Sequence, residues 1–107
     1  MFKVLKVKGP SMAPRYPNGN FILLTSIGKI RIGDAIVADI EEIGLVLKRI
    51  KFIDSSKMIL TGDNPKFDSS VCNIPLDRKL IIGKVLLNLS LLNFFSNFSG
   101  IYKRFNI

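Results

Sequence analysis

The chain has 107 residues, 48% hydrophobic and 22% charged, the balance of one globular domain and not of a disordered chain. It contains no histidine and a single cysteine, Cys72, which excludes a Ser-His-Asp triad, a Cys-His dyad, imidazole metal ligation, an internal disulfide and a thiolate zinc cluster. The formal net charge is +8, and Lys3, Lys6, Lys8, Arg15, Lys29 and Arg31 all precede the first acid, Asp34. Such a basic N-terminal third suits an anionic partner (nucleic acid, anionic lipid or an acidic protein) or is simply a solvated lysine-rich surface. The carboxylates are scattered and form no calcium-type loop, so neither metal nor cofactor is expected. Any hydrolytic base must be a carboxylate or a lysine.

In chain order, Phe2 to Lys8 alternates apolar and basic residues and reads as a strand. Gly9-Pro10-Ser11-Met12-Ala13-Pro14 follows as a rigid turn, because Pro10 lacks a donor and Pro14 blocks a regular helix. Pro17-Asn18-Gly19 is a turn signal before the apolar run Phe21 to Thr25. Asp34 to Ile40 and Gly44 to Ile53 flank Glu41-Glu42-Ile43 as a hairpin, and Asp54-Ser55-Ser56 turns the chain into Lys57 to Thr61. A polar loop runs from Gly62 to Asn73, and a last strand from Leu80 to about Leu89. Phe2, Phe21, Phe52, Met58 and Phe67 are expected in the core, and Cys72 as a small buried or loop thiol. These short strands predict an all-β fold, a small coiled antiparallel sheet or partial barrel.

The tail changes period. Phe94, Phe95, Phe98, Ile101, Tyr102 and Phe105 fall at helical spacing, which predicts a short C-terminal helix with one aromatic face. That face either caps an open end of the sheet or lies on a membrane interface. The expected organisation is one domain over 1–107, with a β core over 1–92 and an amphipathic tail over 93–107. No signal peptide is visible, and no stretch reaches the roughly 18 apolar residues of a spanning helix. A cytoplasmic or peripheral membrane location is therefore expected.

Two segments carry chemistry. In a strand over Gly44 to Ile53, Val46, Lys48, Ile50 and Phe52 share one face, and Leu45, Leu47, Arg49, Lys51 and Ile53 the other. Lys48 thus has apolar neighbours on both sides. Burial disfavours an ammonium and makes the amine a general base near neutral pH, whereas at a sheet edge the side chain snorkels to water. The Pro-bracketed turn presents Ser11, with Met12 as its apolar anchor. A serine hydroxyl is a weak nucleophile until a base takes its proton, and with histidine absent Lys48 is the available base. Taken alone, Ser11 is an ordinary turn serine.

Together with three further boxes, these segments resemble the signal peptidase I family of Ser-Lys endopeptidases. Gly9-Pro10-Ser11-Met12-Ala13-Pro14 is similar to the family's Ser-Met-x-Pro nucleophile box, and Leu47-Lys48-Arg49-Ile50 to its Lys-Arg base box. Gly33-Asp34-Ala35-Ile36-Val37, Gly62-Asp63-Asn64-Pro65 and Ile81-Ile82-Gly83-Lys84-Val85 resemble its Gly-Asp, Gly-Asp-Asn and Ile-x-Gly-Lys-Val boxes, in the same order. The resemblance covers about Val7 to Leu87. It implies Ser11 as acylated nucleophile, Lys48 as general base, and the Ser11 backbone N–H as an oxyanion donor. It implies that Arg49 pairs with Asp63 to fix the loop. It also implies that a precursor protein lies extended along the edges near Lys6 to Lys8 and Leu45 to Leu47, with small residues before the scissile bond.

The departures refine the expectation. Gly9 stands where many relatives carry a second oxyanion hydroxyl, Asn18-Gly19-Asn20 where they often have Gly-Asp, and Asp68-Ser69-Ser70 where they have Asp-Ser-Arg. Ser69 and Ser70 are the candidates to orient the lysine. Ten residues precede Ser11, where relatives usually have a membrane anchor, so peripheral attachment would fall to the basic face and the Phe94–Phe105 tail. A compact anchorless member fits a dedicated maturation peptidase, such as those that trim the precursor of nickel-type superoxide dismutase. Two alternatives remain. Self-cleaving repressors of the SOS and phage type share the turn and the lysine strand, but usually have an upstream DNA-binding domain or a cleavable arm with an Ala-Gly or Cys-Gly bond, and this sequence shows neither. A basic β module binding nucleic acid suits the charge, yet the aromatics cluster in the tail, so no specific nucleic acid is expected.

Overall fold

The computed structural model describes residues 1–67 and 69–89 in full and the backbone of Tyr102–Arg104. Its strands are β1 (Phe2–Lys6), β2 (Phe21–Thr25), β3 (Ala35–Ile40), β4 (Gly44–Ile53), β5 (Lys57–Thr61), β6 (Pro75–Asp77), β7 (Ile81–Asn88) and β8 (Tyr102–Arg104). A single 3-10 turn over Arg78–Leu80 enters β7, its first N–H groups capped where the Asp77 carboxylate accepts from Lys79. The strands form one curled sheet in the spatial order β6-β5-β4-β3-β7-β2-β1-β8. Neighbours are antiparallel except β1 and β8, which run parallel with Val4 opposite Tyr102 and Lys6 opposite Arg104. The fold is all-β.

Turn chemistry sets the register. The β3–β4 hairpin closes through Ile43 N–H to Ile40 O at 3.0 Å, with Glu42 and Gly44 at positive φ. Across the β4–β5 turn the Asp54 carboxylate accepts the N–H groups of Ser56 and Lys57 at 2.9 and 2.7 Å. Both hairpins leave β3 and β4 in the middle of the sheet, where alternate residues bury on opposite faces. Ala35, Val37 and Leu47 join Leu5, Val7, Met12, Tyr16, Ile22 and Leu24 in one core. Ile36, Ala38, Ile40, Val46 and Ile50 join Met58, Leu60 and Val71 in a second. Curling lets one sheet cover itself on both faces.

Several expectations are corrected here. The ladder between β4 and β5 slips between Ile50 and Phe52, a bulge that opposes one residue with two. Beyond it the alternation inverts: Ile53 packs toward the Val46–Ile50 core, while Phe52 is 45% exposed. Phe52 therefore leaves the face it was expected to share with Lys48. Phe2 and Phe67 are also exposed, at 59% and 46%, and do not fill the core; Phe21 and Met58 do. Cys72 is buried and bridges to Leu60. Just past the expected Gly62–Asn73 loop lies a short strand, β6, that apolar alternation does not announce in the three residues Pro75–Asp77. Within the expected C-terminal helix, Tyr102–Arg104 are strand; the rest of that tail, including Phe94 and Phe105, lies outside the described residues.

Candidate active site

The ladder between β4 and β5 begins at Arg49–Thr61, so Gly44–Lys48 project beyond β5 while still paired with β3 on the other side. The Gly9–Pro14 turn crosses this projecting end. Gly9 takes φ +92°, a conformation that L side chains rarely adopt, and its N–H donates to the Asn18 side chain at 2.7 Å. The turn closes through Ala13 N–H to Pro10 O and Tyr16 N–H to Met12 O, and the Ala13–Pro14 peptide is cis. Met12 is buried in the first core and anchors the turn.

Ser11 and Lys48, 37 residues apart in the chain, meet here. Lys48 Nζ donates to Ser11 Oγ at 3.1 Å, and the lysine is 0% exposed and the serine 3%. Lys48 sits on the β4 face between Val46 and Ile50, opposite Ile36 on β3. The edge-and-snorkel alternative is thereby excluded: the amine is inside the protein, and its hydrogen-bonding contacts stand in for water.

Around the pair, the Gly62–Asn64 segment is tied down on both sides. Arg49, on the face opposite Lys48, grips Asp63 bidentately, Nε to Oδ1 at 2.7 Å and Nη2 to Oδ2 at 2.6 Å, and donates a third bond to Gly33 O at 2.7 Å. The hydrogen-bonded Asp63 carboxylate raises the guanidinium's pKa further, against the lowering effect of partial burial. Thus one arginine joins the Gly33 and Gly62 loops to β4. Gly62 lies so close that a Cβ there would stand 3.2 Å from Ser11 O and 3.9 Å from Lys48 Nζ.

Ser11 and Lys48 open into a cleft of about 480 Å³ lined also by Pro10, Ile43, Lys66, Phe67, Ser69 and Ser70. Ser69 and Ser70, the candidates to orient the lysine, both border it; Ser69 Oγ accepts the Val71 N–H at 3.3 Å. Asp68 lies outside the described residues. The expected edge near Lys6 to Lys8 is partly occupied, because β8 pairs with Val4–Lys6. Sequence reasoning missed Phe67 and Ile43 as cleft walls and Asn64 as a partner of the Ser11 turn. The Gly-Asp-Asn box was visible, but only its aspartate had an assigned partner.

Among the described residues no helix is long and apolar enough to cross a membrane. No curated protein and no solved structure matches the chain significantly. The family model for Peptidase S24-like proteins matches residues 2–86, which span β1 to β7 and include Ser11 and Lys48. That match names a different family from signal peptidase I while keeping the same kind of chemistry. The chain belongs to the Peptidase S24-like family and is a serine peptidase domain of the Ser-Lys kind.

Proposed function

We propose that this chain is a serine endopeptidase that removes an N-terminal leader or propeptide from a separate precursor protein, in the manner of signal peptidase I. The observation that carries the reading is a fully buried lysine amine 3.1 Å from a serine hydroxyl at the base of an accessible cleft. With Lys48 neutral, the bond between them reverses, and Ser11 donates its proton to Nζ as Oγ attacks the scissile carbonyl. The backbone N–H of Ser11 stabilises the oxyanion. Lys48 then passes the proton to the leaving amine. Water attacks the acyl-enzyme, Lys48 accepts its proton, and the acid product departs as Oγ recovers a proton from Nζ. No metal or cofactor takes part.

The precursor lies as an added strand along Gly44–Leu47, where β4 projects past β5. Peripheral membrane contact through the basic face and the tail belongs to the same proposal, and the precursor of nickel-type superoxide dismutase is its narrowest candidate substrate. The test is digestion of a diverse peptide library read by mass spectrometry. Wild type should cut after small residues, and Ser11→Ala, Lys48→Ala and Lys48→Arg should each lose at least about 10²-fold, since arginine does not give up its proton.

A second reading, an autoprotease that cuts its own chain, is equally compatible with the Peptidase S24-like match over residues 2–86. The intact mass of the purified chain separates the two. A mass stable for days while peptides are cut supports action on a separate substrate; self-cleavage lost in Ser11→Ala supports the autoprotease.

A further inference from the structure

We infer that Asn64 is a positioning residue for the nucleophile, an inference that rests on reading Ser11 and Lys48 as the reacting pair. Asn64 makes four hydrogen bonds in two directions. Toward the turn, its backbone N–H donates to Ser11 O at 2.9 Å and its Nδ2 donates to Pro10 O at 3.2 Å. Toward the cleft wall, its Oδ1 accepts the Lys66 N–H at 3.1 Å and its carbonyl accepts the Phe67 N–H at 3.1 Å. The residue before it, Asp63, is held by Arg49, the neighbour of Lys48 on β4.

These contacts form a closed loop of rigid links. From Lys48 the backbone leads to Arg49, the ion pair to Asp63, the backbone to Asn64, and two hydrogen bonds to the carbonyls flanking the nucleophile. Without the last links, the Lys48–Ser11 contact itself would hold the reacting atoms together on this side. Misplacing a reacting group by about 1 Å costs on the order of 10²-fold in rate. Asn64 has the donor and the acceptor this geometry requires: Nδ2 for the Pro10 carbonyl, whose residue has no N–H of its own to offer in exchange, and Oδ1 for the start of the Lys66–Phe67 wall. The side chain therefore sets nucleophile placement and wall placement separately.

Two substitutions divide these roles. In Asn64→Ser the hydroxyl still accepts the N–H two residues on, but no longer reaches the Pro10 carbonyl. In Asn64→Ala both side-chain bonds go, while the backbone bond to Ser11 O survives in each. Asn64→Ser should lower kcat by about 10-fold or more with KM within about twofold, and Asn64→Ala should lower kcat equally and raise KM as well.

A readout independent of peptide cleavage uses a thiol in place of the nucleophile. In a Cys72→Ala, Ser11→Cys background, the pH profile of alkylation by iodoacetamide reports how closely the Lys48 amine faces position 11, because an amine held within hydrogen-bond reach takes the thiol proton and keeps the thiolate as an ion pair. A held pair gives an apparent thiol pKa below the ordinary value of about 8.5. Adding Asn64→Ala or Asn64→Ser should move the profile back toward that value, with a thermal midpoint showing that the fold persists. Superimposable profiles, or an unchanged kcat in both variants, would overturn the positioning role. Should Asn64→Ala fail to fold, Asn64→Ser carries the test alone. A background thiol that already titrates like free cysteine counts against the Ser-Lys pair itself and takes this inference with it.

Discussion

Gly62 shows how closely the residues around the reacting pair are packed. A Cβ at this position would stand 3.2 Å from the Ser11 carbonyl oxygen, a backbone atom that is itself held by Asn64. The Ser11 turn must then give by a few tenths of an ångström, beside an amine 3.9 Å from the same Cβ. Gly62→Ala should therefore cut peptide cleavage by about tenfold or more while the unfolding midpoint stays close to wild type, a split that paired kinetic and thermal measurements reveal. The Ser11–Lys48 juxtaposition was not legible from either residue alone, since one reads as a turn serine and the other as an edge lysine. It was anticipated because five boxes stand in the same order as in signal peptidase I. The brace at Asn64 was not legible, because its bonds to Pro10 and Ser11 join residues more than fifty positions apart. Nothing in the local pattern of a Gly-Asp-Asn-Pro loop says which carbonyls its amide will meet.

At the scale of elements, β4 does two jobs along its length. Its second half pairs with β5 and shares only Arg49 with the β3 ladder, while its first half pairs with β3, projects past β5 and carries Lys48. The turn that starts β5 depends on Asp54, which is fully exposed yet has a lowered carboxyl pKa, first because Lys57 and then because Ser56 donates a backbone N–H to it. A carboxyl whose folded pKa is depressed below its ordinary 3.8 stabilises fully above that value, and the contribution disappears as pH falls through the folded pKa. Asp54→Ala should lower the thermal midpoint near neutral pH, and the gap to wild type should narrow in strong acid; a gap independent of pH would assign the effect to something other than the carboxylate. On the other side of the sheet, a Cβ at Gly83 would meet Thr25 O at 2.9 Å, so β7 and β2 approach as closely as they do because position 83 has no side chain. Gly83→Ala should cost about 1–3 kcal/mol in denaturant unfolding. The strand bounds of β2, β4 and β5 were readable because apolar runs there end at clear turn residues. The bulge at Lys51 was not, since a lysine between Ile50 and Phe52 fits perfect alternation as well as it fits a slip, and Phe52 was misplaced as a result.

For the whole molecule, the main consequence of curling is that one sheet makes two cores and brings distant boxes to one place. The Gly33, Lys48 and Gly62 segments and the Ser11 turn converge around Lys48–Ile50 of β4, with Arg49 joining the first three and Asn64 the fourth. That all-β class followed from the spacing of short apolar runs. What the pattern did not disclose is the parallel return of Tyr102–Arg104 to β1, because aromatic residues at helical spacing give the same local signal whichever partner the chain finds. The central claim is that Ser11 is activated by Lys48, and acylation tests it most directly. Purified wild type, Ser11→Ala and Lys48→Ala are each mixed with an activated peptide ester ending in a small residue, and their intact masses are followed by mass spectrometry. The account predicts a single acyl group on wild type, mapped to Ser11, and none on either variant over the same period. Acylation of Lys48→Ala at the wild-type rate, or a label mapped to another residue, would contradict it.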